Sequence, residues 1–258
     1  MIPKIIHYCW FGRGEMPKLM KKCLKSWKKY CPDWEIVRWD EDRFDVNSTP
    51  FTQQAYTARK YAFVSDYVRV KALNEMGGVY LDTDQELIQP LDSFLHHKAF
   101  LGFMNKSEVG SGLIGTEKGH PFTSLLLSYY NGRNFVNEDG SFDMTPNTRA
   151  MTNILMGKGL VIDDSYQIVS DVVVYPQTYF SPISCISVEH CCTEATVSLH
   201  HMYGSWHSEK GRRDMKRAKF RTTKLYHTWE AIRGFPRKLV KKILGDRMTQ
   251  RIKERLNK

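Results

Sequence analysis

Short apolar runs closed by glycine or proline alternate along this chain with stretches whose apolar positions recur every three or four residues. Ile2–Phe11 carries Ile5, Ile6, Tyr8, Cys9 and Trp10 in one run stopped by Gly12 and Gly14, which predicts a buried strand. Met16–Tyr30 places Leu19, Met20, Cys23, Leu24 and Trp27 at helical spacing, with Pro17 suited to a first turn. Trp34–Trp39 reads as a second strand. A strand, helix, strand order implies an α/β sheet with crossover helices and a ligand at the C-terminal strand ends.

The pattern is helical again from about Thr52 to Met76 and ends at Gly77 and Gly78, where a left-handed cap costs little. Val79–Asp82 follows as a short strand. Phe100–Met104, Val109–Gly115 and Asp171–Tyr175 are further strands; His120–Tyr130 and Thr145–Met156 are helices. The pattern therefore predicts one catalytic domain over residues 1–207. Residues 208–258 form a helical extension in which Pro236–Leu244 sets Leu239, Val240, Ile243 and Leu244 beside Arg237, Lys238, Lys241 and Lys242.

Charge sharpens that division. The net charge is +10, yet from Glu209 onward 18 Lys and Arg face 5 Asp and Glu, so the preceding part is slightly acidic. A basic amphipathic tail favours an anionic membrane surface over nucleic acid, for which no binding motif is present. The opening MIPKIIHYCWFG lacks the h-region of a signal peptide, and no apolar stretch reaches the roughly 20 residues that span a bilayer. The expectation is a cytoplasmic protein, peripheral on the inner face of the cell membrane. Six cysteines without metal-site spacing read as reduced thiols.

The most informative stretch is Tyr61–Pro90, YAFVSDYVRVKALNEMGGVYLDTDQELIQP. Asp66 and Arg69 lie three apart and leave one helix face, which by itself predicts no more than an intrahelical ion pair. Asp82 and Asp84 leave the end of the VYLD strand two residues apart. Two carboxylates converging there suit a hard divalent cation that also accepts diphosphate oxygens. Asp40 and Asp42 repeat the D-x-D spacing without the buried strand or the glycine pair, and carry little of the same expectation.

Three segments together, IPKIIHYCWFG, SDYVRVKALNEMGGVYLDTD and SLHHMYGSW, resemble the family 32 glycosyltransferases, the DXD-containing sugar transferases of capsule and polysaccharide synthesis. The core is also similar to the glucosylating domain of clostridial large toxins. The likeness runs from about Ile2 to Trp206. It implies a GT-A fold, a nucleotide-sugar donor with a UDP-sugar favoured, Mn²⁺ or Mg²⁺, and transfer with retention to a glycan or lipid-linked saccharide.

By position, the resemblance makes Asp66, Arg69, Asp82 and Asp84 the catalytic set. Trp10 would stack on the base, Asp66 and Arg69 would grip the donor sugar, and Tyr80 would touch the donor. Asp82 would lie near the ribose and sugar or reach the metal through water, with Asp84 the direct ligand. Of His200 and His201, which a strand points opposite ways, the family register selects His200 for the metal. Ser205 and Trp206 would close over the diphosphate. Asn105 and the segment from Glu108 to Gly112 fall on the acceptor side without an assigned role. Two alternatives remain: a GDP-mannose-dependent mannosyltransferase, and a membrane-associated adaptor with a degenerate core.

Overall fold

The computed structural model describes residues 1–182, 192–204, 213 and 244–257. Ser205, Trp206, Cys185, Cys191 and nearly all of the expected basic helix at Pro236–Leu244 lie outside the described residues. The chain divides into two compact units, and the first contains every described strand. Of the second, one helix near the C-terminus is described, Asp246–Asn257. No described helix is long and apolar enough to cross a membrane.

The first unit is built on a seven-stranded sheet. In chain order its strands are β1 (Ile5–Cys9), β2 (Glu35–Trp39), β3 (Gly78–Leu81), β5 (Ala99–Phe103), β6 (Val109–Thr116), β7 (Gln167–Val169) and β8 (Val172–Tyr175). The spatial order is β2-β1-β3-β6-β5-β8-β7. A two-stranded ribbon of β4 (Gln85–Leu87) and β9 (Ser198–His200) stands apart from this sheet. The helices are α1 (Lys18–Tyr30), α2 (Pro50–Thr57), α3 (Tyr61–Met76), α4 (Pro121–Tyr129), α5 (Asn147–Met156) and the short α6 (Gln177–Phe180), with the C-terminal helix α7.

The expected α/β layout holds. β1 pairs in parallel with both β2 and β3, so the open ends of all three strands meet at one edge of the sheet. Beyond β3 the sheet turns mixed. β5 and β6 are joined through a tight turn in which Asn105 Oδ1 accepts from the Ser107 and Glu108 amides. A connection that short can only make an antiparallel pair. β6 inserts between β5 and β3 and so runs against both.

Alternation along the strands sorts the core. On β3, Val79 and Leu81 face one layer with Trp27 and Cys23 of α1, while Tyr80 faces the other with Val64, Val68 and Leu73 of α3. Each fully buried Val, Leu, Ile or Phe in these layers contributes roughly 1.5–3 kcal/mol. Cys9, Cys23 and Cys31 are buried and unbridged, and desolvation raises all three thiols, Cys9 and Cys23 to about 12 and Cys31 to about 11. These three fit the expectation of reduced thiols.

The expected single helix from Thr52 to Met76 is two. α2 starts at Thr49, whose Oγ1 accepts from the Thr52 amide at 3.1 Å, and Pro50 follows as its first residue. Arg59 adopts φ +56° and breaks the run before α3 begins. At the far end of α3, Gly77 and Gly78 have φ +69° and +106°. A Cβ on Gly78 would stand 2.7 Å from the Ile5 carbonyl oxygen, so this pair alone lets the chain turn from α3 straight into the strand beside β1.

Candidate active site

β3 delivers the carboxylates. Asp82 follows its last residue, and the Asp82 amide donates to Gly112 O on β6 at 2.8 Å, holding the strand end in place. Tyr80 and Asp82, two apart, leave the same face, and the Tyr80 hydroxyl donates to Asp82 Oδ1 at 2.9 Å. The chain then turns, with the Gln85 amide bonded to Asp82 O at 2.8 Å, and brings Asp84 back over the strand end.

The ribbon supplies the third group. β9 lies antiparallel to β4 and sets His200 opposite Gln85. One ligand atom from each of Asp82, Asp84 and His200 falls within 4.8 Å of the others. His200 Nε2 stands 3.4 Å from Asp84 Oδ1. Burial works against the charged imidazole, and the neighbouring Asp84 and Asp82 outweigh it, raising its pKa. His201 points the other way, with Nε2 2.8 Å from Glu86 Oε2. The strand alternation that left two histidines open therefore brings His200 to the carboxylates and His201 to Glu86.

Between these groups the backbone makes room. A Cβ on Gly112 would stand 3.1 Å from Asp82 Oδ2, 3.2 Å from His200 Cε1 and 3.3 Å from Gln85 Oε1. Gly112 thus packs closer on Asp82 and His200 than any side chain would allow, and the two carboxylates and imidazole that meet here match the oxygen-rich donor set of Mn²⁺ or Mg²⁺. Sequence reasoning left Gly112 without a role, because only the β6 register shows what it faces.

Behind the carboxylates, Arg69 is buried with its guanidinium spread over several partners. Nη2 lies 3.1 Å from Asp66 Oδ1 and 3.3 Å from Asp82 Oδ1. Nη1 donates to Ser111 O and Oγ at 3.0 and 2.7 Å, and the group lies 4.7 Å over the Tyr80 ring. Burial opposes its charge, and Asp82, Tyr80 and Asp66 more than restore it. Burial likewise pushes the Asp66 carboxyl up to about 6 despite Arg69. Asp66 also receives the Asn147 amide at 3.3 Å, and Asn147 Nδ2 donates to Asp66 O at 3.2 Å. No local pattern marks Asn147, whose place beside Asp66 at the start of α5 depends on the packing of helices distant in the chain.

Trp10 follows β1 at the same sheet edge as Asp82, half-buried, with its indole N–H donating to Gly14 O at 2.8 Å. Glu108, expected on the acceptor side, has its Oε2 accepting from the Thr148 hydroxyl at 3.0 Å. The second D-x-D is occupied elsewhere: Asp40 pairs with Arg38 at 2.8 Å and Asp42 with Arg13 at 2.6 Å.

Residues 17–101 match the family described as glycosyltransferase sugar-binding region containing DXD motif. The matched span runs from α1 into β5 and includes Asp66, Arg69, Tyr80, Asp82 and Asp84, the residues at the carboxylate edge. Over 125 residues the chain is 34% identical to inositol phosphoceramide mannosyltransferase 3 of Schizosaccharomyces pombe, covering 47% of this chain and 35% of that protein. It thus spans about a third of that relative's length. An uncharacterized glycosyltransferase of Acanthamoeba polyphaga mimivirus is 25% identical over 219 residues, 80% of this chain and 84% of that one. Among solved structures, PaToxG glycosyltransferase aligns over 61% of this chain and 69% of its own, with 18% identity and a TM-score of 0.47.

Proposed function

We propose that the chain is a metal-dependent glycosyltransferase that moves a sugar from a nucleotide-sugar donor to a glycan or lipid-linked saccharide. The observation that carries this reading is the meeting of Asp82, Asp84 and His200 at the edge where β1 and β3 end, with Arg69 and Asp66 behind them. Asp82, Asp84 and His200 would hold Mn²⁺ or Mg²⁺. A bound cation supplies Lewis-acid neutralisation of the negative charge that grows on a departing nucleoside diphosphate.

The protein's own groups would do the rest. Asp66 would accept from sugar hydroxyls, while Arg69, whose N–H groups are taken by Asp66, Asp82, Ser65 and Ser111, would keep both carboxylates in place. The half-buried Trp10 offers a ring face to the base. Ser205 and Trp206 would close over the diphosphate. No side chain is assigned as nucleophile; retention is carried from the family resemblance and is read from the anomeric configuration of the product.

Among donors, a UDP-sugar follows from the resemblance to the polysaccharide transferases. The mannosyltransferase name of the fission-yeast relative favours a second reading, mannosyl transfer from GDP-mannose. The basic tail would hold the enzyme against an anionic inner membrane surface beside lipid-linked acceptors. Co-sedimentation of the full chain and of residues 1–206 with anionic liposomes tests that part, and equal binding would remove the tail from it.

The central test is donor turnover by purified protein, with UDP-sugars and GDP-mannose side by side, in EDTA and after Mn²⁺ is restored. Turnover should vanish in EDTA and return with the metal. Turnover unaffected by EDTA would end the metal reading, and no turnover of any donor would favour a degenerate adaptor.

A further inference from the structure

Gln85 is fully buried and opposes His200 across the β4–β9 ribbon. Its backbone is pinned by Trp27, whose indole N–H donates to Gln85 O at 2.7 Å. Its side-chain Nε2 donates to Phe180 O and to Ser198 Oγ, each at 2.6 Å. A main-chain carbonyl can only accept, so Phe180 O fixes which end of the amide is nitrogen. The oxygen must then point the other way.

That oxygen lies beside Gly112, as Asp82 Oδ2 and the His200 ring do. Gln85 Oε1 is buried without a hydrogen-bond partner. It stands 3.3 Å from the position of the missing Gly112 Cβ, the point that lies 3.1 Å from Asp82 Oδ2 and 3.2 Å from the His200 ring edge. A buried carbonyl oxygen left unpaired keeps its full desolvation cost, and native proteins seldom leave one without a reason. Bracing the ribbon accounts for Nε2 and leaves Oε1 unexplained, since a side chain of similar length without that oxygen would fill the same core.

We propose that Gln85 Oε1 is a fourth donor to the divalent cation held by Asp82, Asp84 and His200, an inference that rests on reading this cradle as a cation site. An amide oxygen is a hard, neutral ligand. It raises the number of protein donors without adding charge, so the cation keeps its attraction for a diphosphate. It also selects for oxygen-seeking Mg²⁺ or Mn²⁺ over softer metals.

Mn²⁺ binding to the full chain, followed by the loss of the free-ion EPR signal, tests this with wild type, Gln85→Met and Asp84→Asn, and each protein is also melted without metal. Gln85→Met should bind Mn²⁺ about 10-fold more weakly than wild type. Wild-type affinity in Gln85→Met with a lowered melting temperature would make Gln85 a brace only and overturn the proposal. No difference between wild type and Asp84→Asn would instead remove the cation site itself. A Mn²⁺-soaked crystal of the unaltered protein decides the matter without any variant. Oε1 within roughly 2.0–2.4 Å of the metal supports the assignment, and Oε1 turned away from it defeats the assignment.

Discussion

Arg69 reaches from the middle of α3 to the end of β3 and stands 3.3 Å from Asp82 Oδ1, with the Tyr80 hydroxyl on the same oxygen. One Asp82 oxygen is thus committed to the protein. The other, Oδ2, is the one beside Gly112 and faces the cradle. The helix therefore sets the direction of a carboxylate it does not carry, and the α3–β3 junction couples folding to the geometry of the site.

Replacing Arg69 tests that coupling. Arg69→Met leaves Asp66 and Asp82 without their counter-charge in a buried setting, which costs about 3–5 kcal/mol. Arg69→Lys keeps the charge and loses the fork that also reaches Ser111, so it should be the milder change in stability. Urea unfolding with unchanged m-values should rank wild type above Lys above Met. Equal midpoints for all three would show that the guanidinium holds nothing together.

His7 predicts an acid limb in stability. It is buried on β1, takes a hydrogen bond on Nδ1 from the Trp39 indole at 3.1 Å, and therefore donates from Nε2 to Gly77 O at 2.8 Å. Desolvation lowers its pKa from 6.5 to about 4. Between those values the unfolded chain holds more protons than the folded one, so stability falls as pH drops, by up to about 3 kcal/mol. Asp66, raised to about 6, acts in the opposite sense over its own window, gaining stability as pH falls. His7→Gln keeps a donor for Gly77 and removes the titration. Its stability should fall less steeply than that of wild type from pH 6.5 to 4, as read by urea midpoints; parallel curves would refute the assignment.

The strand–helix–strand unit of β1, α1 and β2 and the carboxylate pair were legible in the sequence because both are local. A buried run, a glycine pair and two acidic residues sit within a few positions of each other, and β-strand alternation does the rest. Alternation says only that His200 and His201 diverge; the family register selected His200, and the β4–β9 pairing is what brings it to Asp84. Asn147, Gly112 and Gln85 were hidden for the same reason: each reaches the site through a pairing or packing contact with residues far away in the chain. The split between α2 and α3 escaped because Arg59, at φ +56°, is not a residue type that announces a break.

Gly112→Ala isolates the cradle from the fold. Gly112 carries no positive φ, so alanine meets no backbone strain there. Its methyl would press on Asp82 Oδ2, His200 Cε1 and Gln85 Oε1 at 3.1, 3.2 and 3.3 Å. Overpacking of this kind costs about 1 kcal/mol of stability. The effect on the site is larger, because the methyl occupies the space around which the donors converge. Mn²⁺ affinity and donor turnover should both drop by about 10-fold or more, while the metal-free protein loses only about 1 kcal/mol of stability. If Mn²⁺ binds as tightly to Gly112→Ala as to wild type, the cation lies elsewhere and the space beside Gly112 is only a gap in the packing.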